Sequence, residues 1–364
     1  MTVRDRVVVI GSGASGLASS ILLARIGYPV TLLECNVAPG GLMRSYSRRG
    51  IDLPMGIHTL GLLGEGELLR RAFDALGISE EIPLIRLGGS GPIERLHTPH
   101  GTFDLPPGID AFAEALAQAF PGDGAYIPGI IQGLHGAAGF LDCLVPGGGP
   151  ASDFRILEHL GSMGSRAGRE GWSRGLQEVL SMVTAWMGVL WDFCPEYLHA
   201  TALASYLVSA WQLERGGAHL ADVLAKQLRD LGGEIRVGDS VEQIAVEDGA
   251  VAGVRTLTGD SVPAARVIST LHPAATLALL VPDMAPSRYG DRIAKLEDTE
   301  SCFGLHALVD STRVRPQGCS DLVGEDPLHG VIRSFQGRPT IFPERTLVTA
   351  LEPASASQWA RWGG

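Results

Sequence analysis

The stretch VVVIGSGASGLASSILLARIGYPVTLLECN, residues 7–36, decides the fold of this 364-residue chain. Its first four residues, Val7–Ile10, are all β-branched, which is typical of a strand buried on both faces of a parallel sheet. A GxGxxG turn follows, then a helical pattern that ends at Gly27, and then a second strand, Val30–Leu33, which ends in Glu34. This order of elements predicts a Rossmann-type α/β unit that binds a dinucleotide.

The spacing of the glycines in the turn indicates a binding site for a pyrophosphate. Gly11 permits the tight turn, Gly13 lets the backbone approach the pyrophosphate, and Gly16 lets the helix pack closely on the strand. Ala14 and Ser15 lie between the last two glycines and belong to the same predicted cofactor site. A glycine-rich packing turn without a ligand is the simpler alternative, but the flanking strand, helix and acidic residue favour a nucleotide site.

The acidic residue at the end of the second strand indicates the kind of nucleotide. Glu34 would accept hydrogen bonds from both hydroxyls of an adenosine ribose, which favours FAD or NAD over a 2′-phosphorylated nucleotide. A solvated carboxylate at a strand end is the alternative interpretation. The first motif therefore predicts a dinucleotide without deciding between FAD and NAD.

The next stretch, APGGLMRSYSRRGIDLPMGIHTLG at residues 38–61, adds a second glycine pair directly after the acidic strand end. It resembles the flavoprotein superfamily of phytoene desaturases, carotenoid isomerases, retinol saturases, amine oxidases and Rab GDP-dissociation inhibitors. In that superfamily a PGGR-x-x-S stretch passes under FAD and a G-x-x-F-D-x-G-x-H stretch follows. The positions that match this pattern, together with the acidic residue before it, are Glu34, Pro39, Gly40, Gly41, Ser45, Gly50, Gly56 and His58.

The resemblance implies FAD as the cofactor, with the stretch from Gly40 and Gly41 through Ser45 in contact with it. Leu42 stands where the family has arginine, and Pro54 stands where it has aspartate. Arg44 and Asp52 are the candidates to replace those charges, and a surface charge is the alternative interpretation of Arg44. His58 is assigned either to the substrate cavity or to a hydrogen-bonded position in the protein interior.

A second match lies downstream. Gly216 and Gly217 precede an amphipathic helix, which two further glycines end, and a series of predicted strands follows. The pattern resembles the same superfamily, in which a strand returns to the first domain and its backbone contacts the adenine. Val241 occupies the position of that contact, and the strand VIST ends at Thr270, which belongs to the same predicted cofactor site.

Together the two matches predict a Rossmann-type FAD-binding domain that is discontinuous in sequence, with an inserted α+β substrate domain. We place the FAD-binding domain at residues 1–80 and 205–285. The substrate domain then comprises residues 81–204 and 286–364, with an apolar helical insertion. Its tryptophans are individually more typical of a packed core than of a ligand pocket.

Composition limits the partners. The chain has a formal net charge of -11 and no long basic run, which argues against a nucleic-acid partner. Its five cysteines are scattered without a CxxC pair, so we expect reduced thiols and neither a zinc site nor a disulfide framework. We expect no export signal, and the uncharged stretch Val179–Trp191 is too short to span a bilayer. A cytoplasmic protein is expected, with peripheral membrane contact and oligomerisation left open.

The resemblance implies an FAD-dependent oxidoreductase that acts on carbon–carbon double bonds of an apolar polyene or isoprenoid. Desaturation, saturation and cis–trans isomerisation by reduced flavin all remain open, and no residue is assigned as a catalytic acid or base. The alternatives are another flavin oxidase such as an amine oxidase, a prenyl or lipid binder without activity, and a truncated, inactive flavoprotein. Because related flavoproteins continue with a glycine-rich segment that contacts the flavin, the resemblance also implies a C-terminally short chain.

Overall fold

The structure is a computed structural model, and it describes residues 6–48, 51–57, 59–98, 100–144, 161–281, 287–297, 301–310, 320–326, 330–337 and 345–354. The α-helices in those ranges are α1 Ala14–Arg25, α2 Leu68–Leu76, α3 Ile109–Ala119, α4 Ile127–Cys143, α5 Met163–Glu170, α6 Arg174–Met182, α7 Glu196–Val208, α8 Gly216–Asp230, α9 Pro273–Ala278 and α10 Ser287–Ile293. The strands are β1 Val7–Ile10, β2 Val30–Glu34, β3 Ser45–Arg48, β4 Ile51–Pro54, β5 Thr59–Gly61, β6 Leu84–Arg86, β7 Glu94–Thr98, β8 Gly101–Leu105, β9 Ala210–Leu213, β10 Glu234–Val237, β11 Val241–Glu247, β12 Ala250–Thr256, β13 Ser261–Pro263, β14 Arg266–Ser269, β15 Ser301–Asp310, β16 Ser320–Asp326, β17 Gly330–Gly337 and β18 Arg345–Ala354.

A parallel sheet with the order β10-β2-β1-β14 forms the centre of the nucleotide-binding fold. In its register Val7 lies opposite both Val30 of β2 and Arg266 of β14, so strands distant in sequence flank the same central strand. All four residues of β1 are buried, as the β-branched run predicts for a strand covered on both faces. The predicted Rossmann-type α/β fold is confirmed.

The two faces of this sheet pack against different layers. Val7, Val9 and Leu32 share a core with the apolar sides of α1 and α8. Val8 and Ile10 face the other way and pack with residues of the antiparallel sheet β11-β12-β13. Because side chains alternate along a strand, one short apolar run joins both layers and fixes the carboxyl end of β1 between them.

A second core lies around the six-stranded sheet β15-β18-β17-β16-β7-β8. In this sheet β7 pairs in parallel with β16, whereas its other neighbour, β8, is antiparallel. Buried side chains of β7 and β8 pack with those of α3, α4, α6 and α7. Trp172 and Trp191 are part of this core, which confirms their interpretation as packing residues. The residue boundaries of the two domains stay a prediction.

A small sheet with the order β5-β9-β6 connects the two cores along the chain. Its middle strand, β9, follows α7 of the second core and precedes α8 of the first. Among the described residues, no helix combines the length and the apolar character that crossing a membrane requires.

Candidate functional site

A cavity of about 340 Å³ lies where β1, β2 and β14 end and where β11 begins. The carboxyl ends of parallel strands are the usual place for a ligand in such a sheet. Eight of the predicted cofactor residues line it, namely Gly11, Gly13, Ala14, Ser15, Glu34, Gly41, Val241 and Thr270. The structure therefore brings together residues from both sequence matches.

The three glycines of the turn have different structural roles. Gly11 has a φ of +92°, which favours glycine. A Cβ added at Gly16 would lie 1.8 Å from the carbonyl oxygen of Gly11, so the close packing of α1 on the turn requires glycine there. A Cβ added at Gly13 would meet no protein atom within 4 Å. Protein packing does not explain glycine at this position, whereas a ligand in the cavity does.

Glu34 is buried and fully hydrogen-bonded at the end of β2. Its Oε2 accepts from the backbone N–H and the hydroxyl of Ser12, at 3.0 and 2.5 Å. Its Oε1 accepts from the backbone N–H and the side-chain amide of Asn36, at 2.9 and 2.6 Å. Burial raises the pKa of Glu34, but these hydrogen bonds outweigh it and lower the pKa to about 2. The carboxylate is therefore charged at neutral pH.

Ser12 is a residue that sequence reasoning missed. Besides donating to Glu34, its hydroxyl and its carbonyl oxygen accept from the N–H of Gly40, at 3.2 and 2.9 Å. Ser12 thus joins the glycine turn, the acidic strand end and the second glycine pair. Because the GxGxxG pattern leaves this position unspecified, only the fold reveals these contacts.

The second glycine pair packs directly on the first turn. A Cβ added at Gly41 would lie 2.9 Å from the Cα of Gly13, and one added at Gly40 would lie 2.7 Å from the Cβ of Ala221 on α8. Both glycines also have positive φ angles, +124° and +54°. The close approach and the backbone conformation explain why the pair is Gly-Gly.

The residues after this pair take separate positions, and none of them lines the cavity. The side chain of Leu42 is 71% exposed. Arg44 turns back along the chain, and its Nε donates to the carbonyl oxygen of Gly41 at 3.0 Å. Ser45 is half-buried at the start of β3. His58, the predicted substrate-cavity residue, lies outside the described residues.

The downstream residues close the other side of the cavity. The N–H of Asp239 donates to the carbonyl oxygen of Glu34 at 2.9 Å, which holds the start of β11 against the end of β2. The hydroxyl of Thr270 donates to the carbonyl oxygen of Ile10 at 2.9 Å. Further lining residues that the sequence did not single out are Cys35, Asn36, Asp239, Ser240 and Leu271. Their position directly after or before strand ends is the signal that could have found them.

These residues fit the adenosine diphosphate part of a dinucleotide. The cavity contains a charged carboxylate, the N-terminal end of α1 and an open position at Gly13. The first turn of α1 carries no acidic residue that would repel a phosphate. Among the described residues, no group of three His, Cys, Asp or Glu side chains could hold a metal ion.

An aromatic pair lies on the side of the second core. The rings of Trp186 and Tyr206 are stacked, with centroids 4.2 Å apart and planes at 19°. The hydroxyl of Tyr206 is 2.5 Å from that of Thr59, the first residue of β5. Rings in direct contact leave no room for an amine between them, so this pair does not form the open aromatic frame that the amine oxidase alternative requires.

A family model described as flavin containing amine oxidoreductase matches residues 14–342 of the chain. The fold is also similar to the solved structure of an oxidoreductase from Methanosarcina mazei, with a TM-score of 0.70 and 16% identity. That likeness covers 98% of this chain and 81% of the solved one. The family model therefore covers the first sequence match from Ala14 onward, the whole second match and the region between them.

Two curated relatives are similar in sequence. All-trans-retinol 13,14-reductase of Macaca fascicularis is 25% identical over 271 residues, which cover 70% of this chain and 44% of the reductase. Hydroxyneurosporene desaturase of Cereibacter sphaeroides is 28% identical over 341 residues, which cover 86% of this chain and 64% of the desaturase. The chain thus spans less than two thirds of the length of either relative.

Proposed function

The chain belongs to the family of flavin-containing amine oxidoreductases, and we propose that it is an FAD-dependent oxidoreductase acting on carbon–carbon double bonds of an apolar polyene or isoprenoid. Bound FAD supplies hydride acceptance or, when reduced, hydride donation. Desaturation, saturation and isomerisation draw on that same chemistry, so the direction of the reaction is left open.

The observation that carries the proposal is the dinucleotide cradle, by which we mean the cavity formed by residues 10–15, 33–36, 41, 239–241, 270 and 271. It supports a bound dinucleotide, and the family supports a flavin. The names of the two relatives supply the substrate class, since one reduces all-trans-retinol and the other desaturates hydroxyneurosporene. Both names refer to polyenes.

In this proposal each part of the cradle has a separate task. The Gly13 backbone and the N-terminal end of α1 hold the pyrophosphate, and the backbone of Val241 contacts the adenine. Glu34 accepts the two ribose hydroxyls in place of two of its side-chain donors, Ser12 Oγ and Asn36 Nδ2, while its two backbone donors stay. A free carboxylate at this point disfavours a ribose that carries a phosphate.

The apolar substrate class also bears on where the protein acts and on its aromatic residues. An apolar polyene dissolves in membranes, so the proposal includes a cytoplasmic protein in peripheral contact with a membrane. The closed stack of Trp186 and Tyr206 leaves no gap for an amine between its rings, which supports a polyene over an amine as the substrate. His58 and self-association stay predictions.

The test is to purify the protein, load it with FAD and remove the excess. A visible flavin spectrum that stays with the protein is expected, followed by oxidation or reduction of a carotenoid or retinoid presented in detergent. Amines such as putrescine serve as the competing substrates. A colourless protein that cannot take up FAD refutes the proposal, and turnover of amines in preference to polyenes replaces it with the amine oxidase alternative.

A further inference from the structure

In the described part of the chain, no positively charged side chain lines the cradle. Among the residues that line the cavity, the charged side chains are Glu34 and Asp239, and both are acidic. The chain as a whole has a formal net charge of -11. A pyrophosphate adds two negative charges to this surrounding, and the backbone N–H groups of α1 provide only partial positive charge.

Arg44 is a cation held close to the glycines of the proposed pyrophosphate site. Its Nε donates to the carbonyl oxygen of Gly41 at 3.0 Å, and Gly41 packs so closely on Gly13 that a Cβ on Gly41 would lie 2.9 Å from the Cα of Gly13. The stem of Arg44 crosses the glycine pair, since a Cβ on Gly40 would lie 3.1 Å from Arg44 Cγ. The charge of Arg44 also lowers the pKa of the Cys35 thiol, although burial raises that pKa overall.

Arg44 is half-buried, and no acidic side chain of the described residues pairs with it. Within the described part of the chain, its hydrogen bond goes to the Gly41 carbonyl and it forms no ion pair. Other arginines of the same protein do pair with carboxylates, for example Arg95 with Asp104 and Arg174 with Glu178. An arginine that is partly desolvated without a counter-ion, beside an acidic cavity, is suited to an anionic ligand.

We propose that Arg44 supplies the positive charge for the cofactor pyrophosphate, a role that rests on the proposed FAD site. Leu42 directly follows the glycine pair but has an apolar, 71% exposed side chain. Arg44 reaches back to the same glycines through the short turn that residues 41–43 form. The charge is thereby provided from a position two residues further along the chain.

A purely structural role is the competing explanation. The bond from Nε to the Gly41 carbonyl also stabilises the turn, and any residue that loses it could loosen the glycine pair. The two roles respond differently to salt. Attraction between Arg44 and a pyrophosphate is screened as ionic strength rises, whereas the shape of a turn is not.

The experiment measures FAD affinity by titration calorimetry at low and at high salt. The variants are Arg44→Gln, which removes the charge, and Arg44→Lys, which keeps it. Arg48→Gln is the matched control, because Arg48 is exposed on the neighbouring strand β3. At low salt we expect Arg44→Gln to weaken FAD binding about 10- to 100-fold, as for a lost charged hydrogen bond. Arg44→Lys retains most of the affinity, and Arg48→Gln matches the wild type.

High salt decides between the roles. The gap between wild type and Arg44→Gln is expected to narrow at high salt, with circular dichroism showing that each variant is folded. Equal FAD affinity of wild type and Arg44→Gln overturns the role of Arg44 but leaves the FAD site intact. A loss in Arg44→Gln that is the same at both salt concentrations and is shared by Arg44→Lys assigns Arg44 to the turn instead. Absence of FAD binding by the wild type overturns the proposed function as well.

Discussion

The nucleotide cradle and the helical region, by which we mean α3–α7 with β7 and β8, differ in what their buried residues do. In the cradle the contacts offered to a ligand come mostly from backbone groups and glycines, and the one buried carboxylate, Glu34, stays charged. In the helical region buried polar side chains are bound to other protein groups, as Glu178 is to Arg174, and the buried His199 is held neutral. Substitution of a ligand-facing glycine in the cradle should therefore act on ligand binding, and substitutions in the helical region should act on stability.

The largest effects are expected in the GxGxxG turn, where one glycine substitution should abolish FAD binding and another should prevent stable folding. Gly13→Val is expected to abolish FAD binding, because its side chain would enter the space of the pyrophosphate. Its folding should be little affected, since a Cβ at Gly13 meets no protein atom within 4 Å and its φ of -63° suits other residues. Gly16→Val should fail to fold stably, because its Cβ would lie 1.8 Å from the Gly11 carbonyl oxygen.

Thermal denaturation and FAD titration on both variants check this pair. Unfolding of Gly13→Val under conditions where the wild type is stable would contradict the division between a ligand-facing and a packing glycine. Tight FAD binding by a folded Gly13→Val would show that the pyrophosphate does not bind at Gly13.

The cradle and the helical region also differ in how much of each could be predicted from the sequence. Gly13 and Glu34 were predictable because a dinucleotide needs a close backbone approach and a carboxylate, and these needs fix residue types at short spacing. Ser12 was not, because its hydrogen bonds run to Glu34 and Gly40, which are 22 and 28 residues away. A serine at this position does not indicate a hydrogen-bond partner in the sequence, because its partners become neighbours only in the folded sheet.

The helical region was harder to predict for a related reason. The parallel pairing of β7 with β16 joins Glu94 to Ser320, and no local pattern encodes a partner so distant along the chain. The stack of Trp186 on Tyr206 likewise depends on how α7 packs. The composition of this region predicts a packed core, but the arrangement of its side chains is a property of the tertiary structure.

The next effect tests the helical region and concerns pH. His199 is buried, its Nε2 donates to the carbonyl oxygen of Leu180 at 2.9 Å, and burial lowers its pKa from 6.5 to about 4. Below pH 6.5 the unfolded chain binds a proton at this residue that the folded chain rejects. The free energy of unfolding is therefore at its full value above pH 6.5. It decreases as the pH falls from 6.5 towards 4, by on the order of 3 kcal/mol.

Urea denaturation at several pH values measures this loss. His199→Gln keeps a donor for Leu180 and cannot titrate, so its stability should fall less steeply from pH 6.5 to 4 than that of the wild type. His135→Gln is the control, since His135 is exposed on α4 and should leave the steep profile in place. Identical pH profiles for His199→Gln and wild type would show that a charged His199 is tolerated in this core.

The smallest effect concerns Ser12, whose hydroxyl holds Glu34 in the place that we assign to a ribose hydroxyl. Without FAD, Ser12→Ala should lose about 1–2 kcal/mol of stability at pH 7, because a buried carboxylate loses one donor. The pKa of Glu34 is lowered from 4.5 to about 2, so its contribution is present above pH 4.5 and disappears towards pH 2, where the gap to the wild type should close.

FAD distinguishes this role from simple packing. If a ribose hydroxyl replaces Ser12 Oγ on Glu34, saturating FAD restores the missing hydrogen bond, and Ser12→Ala binds FAD at least as tightly as the wild type. Ser47→Ala, exposed on β3, is the control for the loss of a serine hydroxyl. Weaker FAD binding by Ser12→Ala would mean that the hydroxyl stays on Glu34 in the complex. The carboxylate would then serve the ribose through its remaining oxygen, and Ser12 would belong to the bound site itself.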